Sequence, residues 1–277
     1  MRAEALQSLT SQGIEVDASR AEPSGPASAH PSSPCEGRHR MCHVFAGGGP
    51  MMPGGMADIA AAKGIVCDEW DVRQDAVHGD LLLEANQLRL VADCEELGYA
   101  HLHAGIPCST FSPILCMRGR QLRLRSQPWG RDGLAGEGLR RVGEADELIR
   151  ATLAAAYVVF DLGGEVTLEN VADRGDPDTP AWWPARAAMC PLALHPLIIA
   201  AMRYMGMVRL CLPMCALNPG GPQKWIELFA TSGAAHVLRH LVGAFRSESR
   251  AFPSSMLQRV GHTAKRAITT HTVAPLM

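Results

Sequence analysis

Lysine is almost missing: Lys63, Lys224 and Lys265 are the only three in 277 residues, and arginine supplies the rest of the 26 basic side chains. Long apolar runs are missing too. The cleanest, Ala151 to Phe160, falls well short of the roughly 20 residues that a membrane-spanning helix needs. The nearly apolar stretch from Ala188 to Met202 is interrupted by Pro191, His195 and Pro196, so a spanning helix there would be broken. The 27 Gly and 19 Pro show no three-residue period, which excludes a collagen-like chain. No two of the nine cysteines stand at C-x-x-C spacing and their number is odd, which argues against a disulfide framework and against a zinc module. A reducing compartment is expected, either nucleus or cytoplasm, or the bacterial cytosol. The N-terminal region has no basic segment followed by an apolar stretch, and Glu4, Glu15, Asp17 and Glu22 are unlike a transit peptide. Charge of either sign is also not in excess: the net charge is −2, so a nucleic-acid partner would have to be met by a local basic patch.

What is present is enough apolar material, 47% of the chain, for a sizeable core. Residues 1–40 are rich in Ser, Pro, Ala and Glu and read as a disordered arm; the remainder, 41–277, reads as one domain. From Met41 onward, short apolar runs (CHVFA, GIVCDEW, YAHLHAGIP, GEVTLENV, MVRLCLP, KWIELFATS) alternate with helical patterns, the longest of them from about Val142 to Phe160. Such alternation predicts an α/β domain with a mostly parallel, doubly wound sheet, in which ligands sit at the carboxyl ends of the strands. The segment AAHVLRHLVGAF predicts a further helix, and the end from Phe252 carries no clear signal.

Three of these strand ends carry residues suited to chemistry. The first runs into His43-Val-Phe45-Ala-Gly47-Gly48-Gly49-Pro, a glycine loop leading into a helix, where backbone can approach a nucleotide-like ligand. The second ends at Asp68-Glu69-Trp70-Asp71, an acid able to accept hydrogen bonds from ribose hydroxyls beside an aromatic able to cover an adenine. Asp80, in His78-Gly79-Asp80, could receive an adenine amino group, although taken by itself a turn or capping Asp is the better reading. The third gives Gly105-Ile-Pro107-Cys108-Ser-Thr-Phe-Ser112, a Cys presented at a strand tip, where it is placed as a nucleophile rather than as packing. Sixty residues later Glu169 and Asn170, in Val166-Thr-Leu-Glu169-Asn170-Val171, end another strand at the same edge. Between them lie Arg118, Arg120, Arg123, Arg125 and Arg131 with Trp129, the concentrated basic patch of the chain and a candidate phosphate-binding loop. The alternation of Leu122 and Leu124 with these arginines also allows a short edge strand. The other histidines and cysteines show no ligand spacing, so no metal is expected.

In this order, FAGGGP, DEWD, the Gly79-Asp80 pair, GIPCSTFSP and LENV resemble the DNA cytosine-5 methyltransferases, over Val44 to Val171. A looser likeness, Pro213 to Ser232, leads into the last strand. The resemblance implies a Rossmann-like domain that binds S-adenosyl-L-methionine through Phe45, Gly47, Gly49, Glu69, Trp70, Asp80 and Pro107. It implies that Cys108 adds to carbon 6 of a flipped-out cytosine, that Glu169 holds ring nitrogen 3, and that Asn170 positions the Cys108 loop. DNA is the implied partner, contacted by Arg118, Arg120, Arg123 and Arg125, with RNA as the alternative substrate. The chain departs from the family pattern in having only Arg209 where a Gln-x-Arg-x-Arg segment is expected near Val208 to Cys211, and in leaving almost no room for a target-recognition region after Thr231. Two other readings remain: a catalytically silent relic that binds nucleic acid, and a Cys hydrolase, which needs His43, His101 or His103 against Cys108.

Overall fold

The structure is a computed structural model, and it describes residues 40–47, 55–112, 115, 120–179, 181–183, 186–213 and 224–248, with side chains as far as residue 240. Gly49, Arg118 and all of the N-terminal arm short of Arg40 lie outside the described residues, as do residues 214–223 and 249–277. Arg40, assigned to the arm from the sequence, is instead the first residue of a strand.

Six strands form one sheet: β1 (Arg40–Val44), β2 (Val66–Trp70), β3 (His101–Gly105), β4 (Glu165–Val171), β5 (Val208–Pro213) and β6 (Trp225–Ala230). Their order across the sheet is β2-β1-β3-β4-β6-β5. Neighbours from β2 to β4 are parallel, while β6 is antiparallel to both β4 and β5, so it alone of the six runs against the rest. The fold is therefore α/β with a mixed, mostly parallel sheet. The chain leaves β1 outward to β2, then crosses back to β3 on the other side of β1, so the winding direction changes between β1 and β3.

Among the described residues five helices connect and cover the strands: α1 (Met56–Ala61), α2 (Glu84–Leu97), α3 (Gly136–Asp161), α4 (Pro196–Tyr204) and α5 (Ser232–Glu248). The helical periodicity expected from Val142 to Phe160 belongs to α3, which begins six residues earlier, at Gly136. Its Ile149, Leu153, Ala155, Ala156 and Val159 are buried with Leu90 and Cys94 of α2 against Leu102, Ala104, Val166 and Leu168 of β3 and β4. These strand residues alternate along the chain, as a face buried under helices requires. Small residues at 151, 155 and 156 let the helix backbone come close to the sheet. α4 starts at Pro196, whose fixed φ and missing N–H suit a first helical turn, and this is why the apolar stretch around it is split. The segment Leu122 to Leu124 forms no strand; Leu124 makes isolated bridges to Gln127 and Met189. Among the described residues no helix is long and apolar enough to cross a membrane.

Candidate functional site

The parallel register brings the carboxyl ends of β1 to β4 level with one another: Val44 lies opposite both Trp70 and Ala104, and Gly105 opposite Glu169. The loops that follow these ends therefore open at one edge of the sheet. Phe45 leaves β1 at φ 58, an uncommon backbone conformation for a side chain of this size, and its N–H donates to Trp70 O at 2.7 Å. Two residues on, Gly47 N–H donates to Asp71 Oδ2 at 2.9 Å, so the glycine loop starts pinned to the end of β2. Gly79 is required for the same corner, since a Cβ there would lie 2.3 Å from Asp71 O. Asp80 accepts Leu82 N–H at 3.0 Å and turns the chain into α2, which is the turn role available to it.

Glu69 and Trp70 are adjacent on a strand and so project to opposite faces. Glu69 lies on the face that carries His43, and its Oε2 accepts Gln74 Nε2–H at 2.9 Å. Trp70 is 7% exposed, packed in the core, with the Arg89 guanidinium 5.7 Å from its ring centre. The adenine contact expected at Trp70 is corrected accordingly: the ring has little free face, because alternation turns it inward. Phe45, half-buried, is the aromatic at the same edge that keeps some surface.

Cys108 begins a single 3-10 turn, Cys108–Thr110, directly after Pro107. It is a free cysteine, half-buried. Asn170, almost fully buried, donates from Nδ2 to Ile106 O at 2.8 Å and accepts Val171 N–H on Oδ1 at 2.9 Å. The carboxamide thus ties the end of β4 to the backbone two residues before Cys108; an Asp there would lose the donated bond and a Leu would lose both. Glu169 lies in register with Gly105, and burial raises its carboxyl above the usual range, an effect that Lys224 opposes. His103 Nε2 is 4.0 Å from Glu169 Oε2, but burial pushes the imidazole down to about 3, so it stays neutral. The ring nitrogens of His101 and His103 both lie 2.8 Å from Thr167 Oγ1, and His43 faces Glu69. His101 and His103 are thus engaged with Thr167, and none of these contacts brings a histidine to Cys108, so they lend the hydrolase reading no support.

The arginine segment behaves differently from a phosphate-binding loop. Arg123 is 2% exposed: Nε donates to Thr110 Oγ1 at 3.1 Å, one terminal nitrogen to Pro128 O at 2.5 Å, and the other to Val142 O at 3.1 Å and Asp146 Oδ1 at 2.7 Å. Its Cζ lies 4.6 Å from the centre of the Phe111 ring. Arg125 pairs with the buried Asp173 carboxylate at 2.5 Å and donates to Ala187 O at 3.0 Å. The assignment of Arg123 to nucleic acid is therefore corrected: its donors are occupied by internal acceptors, because a buried guanidinium is tolerable only when its N–H groups are satisfied. Arg125 is held by Asp173 but stays partly exposed. Arg120 remains exposed.

Sequence reasoning missed the loop after β4. Trp182 and Trp183 are 48% and 41% exposed there, and Arg174 and Arg186 lie 5.8 and 4.4 Å from the Trp183 ring centre. The signal was the Trp-Trp pair between Arg174 and Arg186, twelve and thirteen residues beyond Asn170. Comparison of the chain with protein-family models, with curated proteins and with solved structures finds no match.

Proposed function

We propose that the chain transfers a methyl group from S-adenosyl-L-methionine to carbon 5 of cytosine in DNA, using Cys108 as a covalent nucleophile. The observation that carries the reading is the Asn170 bond to Ile106 O, which joins the Cys108 turn to the strand end bearing Glu169. The proposal includes a Rossmann-like, doubly wound form of the fold. It is supported by the change of winding direction between β1 and β3, at whose carboxyl ends such sheets take their ligands, and by the single reversed strand beyond β4.

The residues fit a nucleoside cofactor at that crevice. Glu69 offers carboxylate oxygens at the end of β2, and the Phe45-to-Gly47 turn brings bare backbone beside it. Pro107 lies at the same edge, next to Cys108. S-adenosyl-L-methionine, when bound, supplies an electrophilic methyl group. Carbon 5 of cytosine is a poor nucleophile, and addition of the Cys108 sulfur to carbon 6 makes it enamine-like. Glu169, whose raised pKa favours the protonated form, shares its proton with ring nitrogen 3 and relieves the charge that builds there. Loss of the proton from carbon 5 and cleavage of the sulfur–carbon 6 bond then regenerate Cys108. Labelled S-adenosyl-L-methionine incubated with DNA and RNA in separate reactions tests the reading: label in DNA is the expected result, and label in RNA alone would move the substrate to the alternative.

Replacing Glu69 by Ala removes a charged acceptor from two ribose hydroxyls, a loss of about 1.5–3 kcal/mol, or about one to two decades in affinity. Calorimetric titration with S-adenosylhomocysteine measures it, and equal binding by both proteins would show that Glu69 is not the ribose acid.

Nucleic acid is contacted in this reading by Arg120 and by the loop after β4. Base stacking on an aromatic contributes about 1–3 kcal/mol per base, so Trp183→Ala is expected to weaken binding of a single-stranded oligonucleotide by roughly one to two decades. Fluorescence anisotropy reads this directly. An unchanged affinity would remove Trp183 from the nucleic-acid surface.

A further inference from the structure

We infer that His43, Cys67 and Glu69 form a binding site for a single zinc ion on the face of β1 and β2. Glu69 belongs both to this site and to the cofactor site proposed above, so zinc and a ribose would compete for its carboxylate.

The sheet itself assembles the ligands. Cys67 and Glu69 are two residues apart on β2 and so share a face, and His43 on β1 is the register partner of Glu69. One ligand atom from each, an imidazole nitrogen, a thiol sulfur and a carboxylate oxygen, lies within 4.8 Å of the other two. The His43 Nδ1 to Glu69 Oε1 separation is 3.4 Å, too long for a good hydrogen bond. It is, however, the spacing of two tetrahedral ligands, since nitrogen and oxygen each about 2.0–2.1 Å from zinc stand about 3.3 Å apart.

The second observation is the state of His43. The residue is 7% exposed, and its Nδ1 is buried without a hydrogen-bond partner. An unsatisfied nitrogen in the interior is destabilising, and a metal ion on the Glu69 side would satisfy it. Gln74 Nε2–H occupies Glu69 Oε2 and leaves Oε1 toward His43, the outer contact that usually orients a ligating carboxylate. His103, its ring centre 5.2 Å from that of His43, is taken up with Thr167. A nitrogen, sulfur and oxygen set suits zinc and is wrong for magnesium or calcium, which take oxygen alone. Closure needs the three ligand atoms, within 4.8 Å of one another, to settle at the roughly 3.6 Å that sulfur and nitrogen ligands of zinc keep.

Titration of the full chain with cobalt(II), a spectroscopic stand-in for zinc, tests the site. One equivalent is expected to give a near-ultraviolet thiolate-to-cobalt band, displaced by zinc. Cys67→Ser should abolish the band and weaken zinc binding on the order of a hundredfold, His43→Gln should weaken zinc binding comparably, and Cys211→Ser, on β5, should leave both unchanged. If Cys67→Ser does not fold, alkylation of the wild-type chain replaces it: zinc should protect Cys67, read by peptide mass spectrometry, and not Cys211. A band that persists in Cys67→Ser, no thiolate band, or no protection would overturn the inference. None of these readouts uses S-adenosylhomocysteine or methyl transfer, so failure of the site and failure of the proposed function are separately visible.

Discussion

Cys108→Ala is expected to lose methyl transfer to below detection while keeping its fold. The side chain is half-buried at the start of a one-turn helix, and deleting its sulfur opens little space in the core. The turn keeps its anchors, Asn170 on Ile106 O and Arg123 on Thr110 Oγ1, neither of which touches the thiol. Chemically the loss is complete, because without addition at carbon 6 no electron density reaches carbon 5. Duplex DNA bearing 5-fluorocytosine should trap the wild-type chain as a covalent adduct in the presence of S-adenosyl-L-methionine. After methylation carbon 5 carries fluorine in place of the proton whose loss expels the sulfur. The adduct is read by denaturing electrophoresis and should be absent for Cys108→Ala. Undiminished transfer by the variant would sink the covalent mechanism. An inactive wild-type chain that still binds DNA would favour the relic reading instead.

The strand ends were legible because their signals are local. An apolar run followed by Gly-x-Pro-Cys places the thiol after β3 whatever the rest of the chain does, and the run ending in Glu169-Asn170 places those groups at the carboxyl end of β4. The long helix was legible from its periodicity, although its start was missed by six residues, since Gly136 to Arg141 carry little apolar signal. The inward turn of Trp70 was legible in principle: once Glu69 is assigned to one face, the period of two sends its neighbour to the other. Burial of Arg123 was not. An arginine among arginines reads as solvated, and its acceptors, Asp146, Val142 O and Thr110, become visible only when α3 packs beside the Cys108 turn. The same holds for His43 and Glu69, which are 26 residues apart and meet through strand register rather than through spacing.

Arg123→Ala is expected to lower stability by about 3–5 kcal/mol, the cost of leaving a buried charge without its partner. The residue closes a node. Asp146 Oδ1 accepts from Arg123 at 2.7 Å and lies 3.1 Å from His195 Nε2, and the His195 ring sits edge-on to Phe111 and to Trp129, at 6.1 and 4.5 Å between centres. One guanidinium thereby joins the Cys108 turn, the arginine segment, α3 and the start of α4. Against a total stability of about 5–15 kcal/mol such a loss is large enough to unfold a marginal domain, and urea denaturation measures it. Asp146→Ala should cost comparably, while the double variant should cost much less than the sum, because neither charge is then stranded. Arg123→Lys keeps the charge but not the fork that reaches Thr110, Pro128 O and Asp146 at once, so part of the loss should remain. It should also uncouple the Cys108 turn: if a shift of about 1 Å in the nucleophile costs on the order of a hundredfold, kcat falls well before the fold is lost. A stability change under about 1 kcal/mol in Arg123→Ala would mean that the arginine turns out to solvent, and would return it to the candidate phosphate contacts.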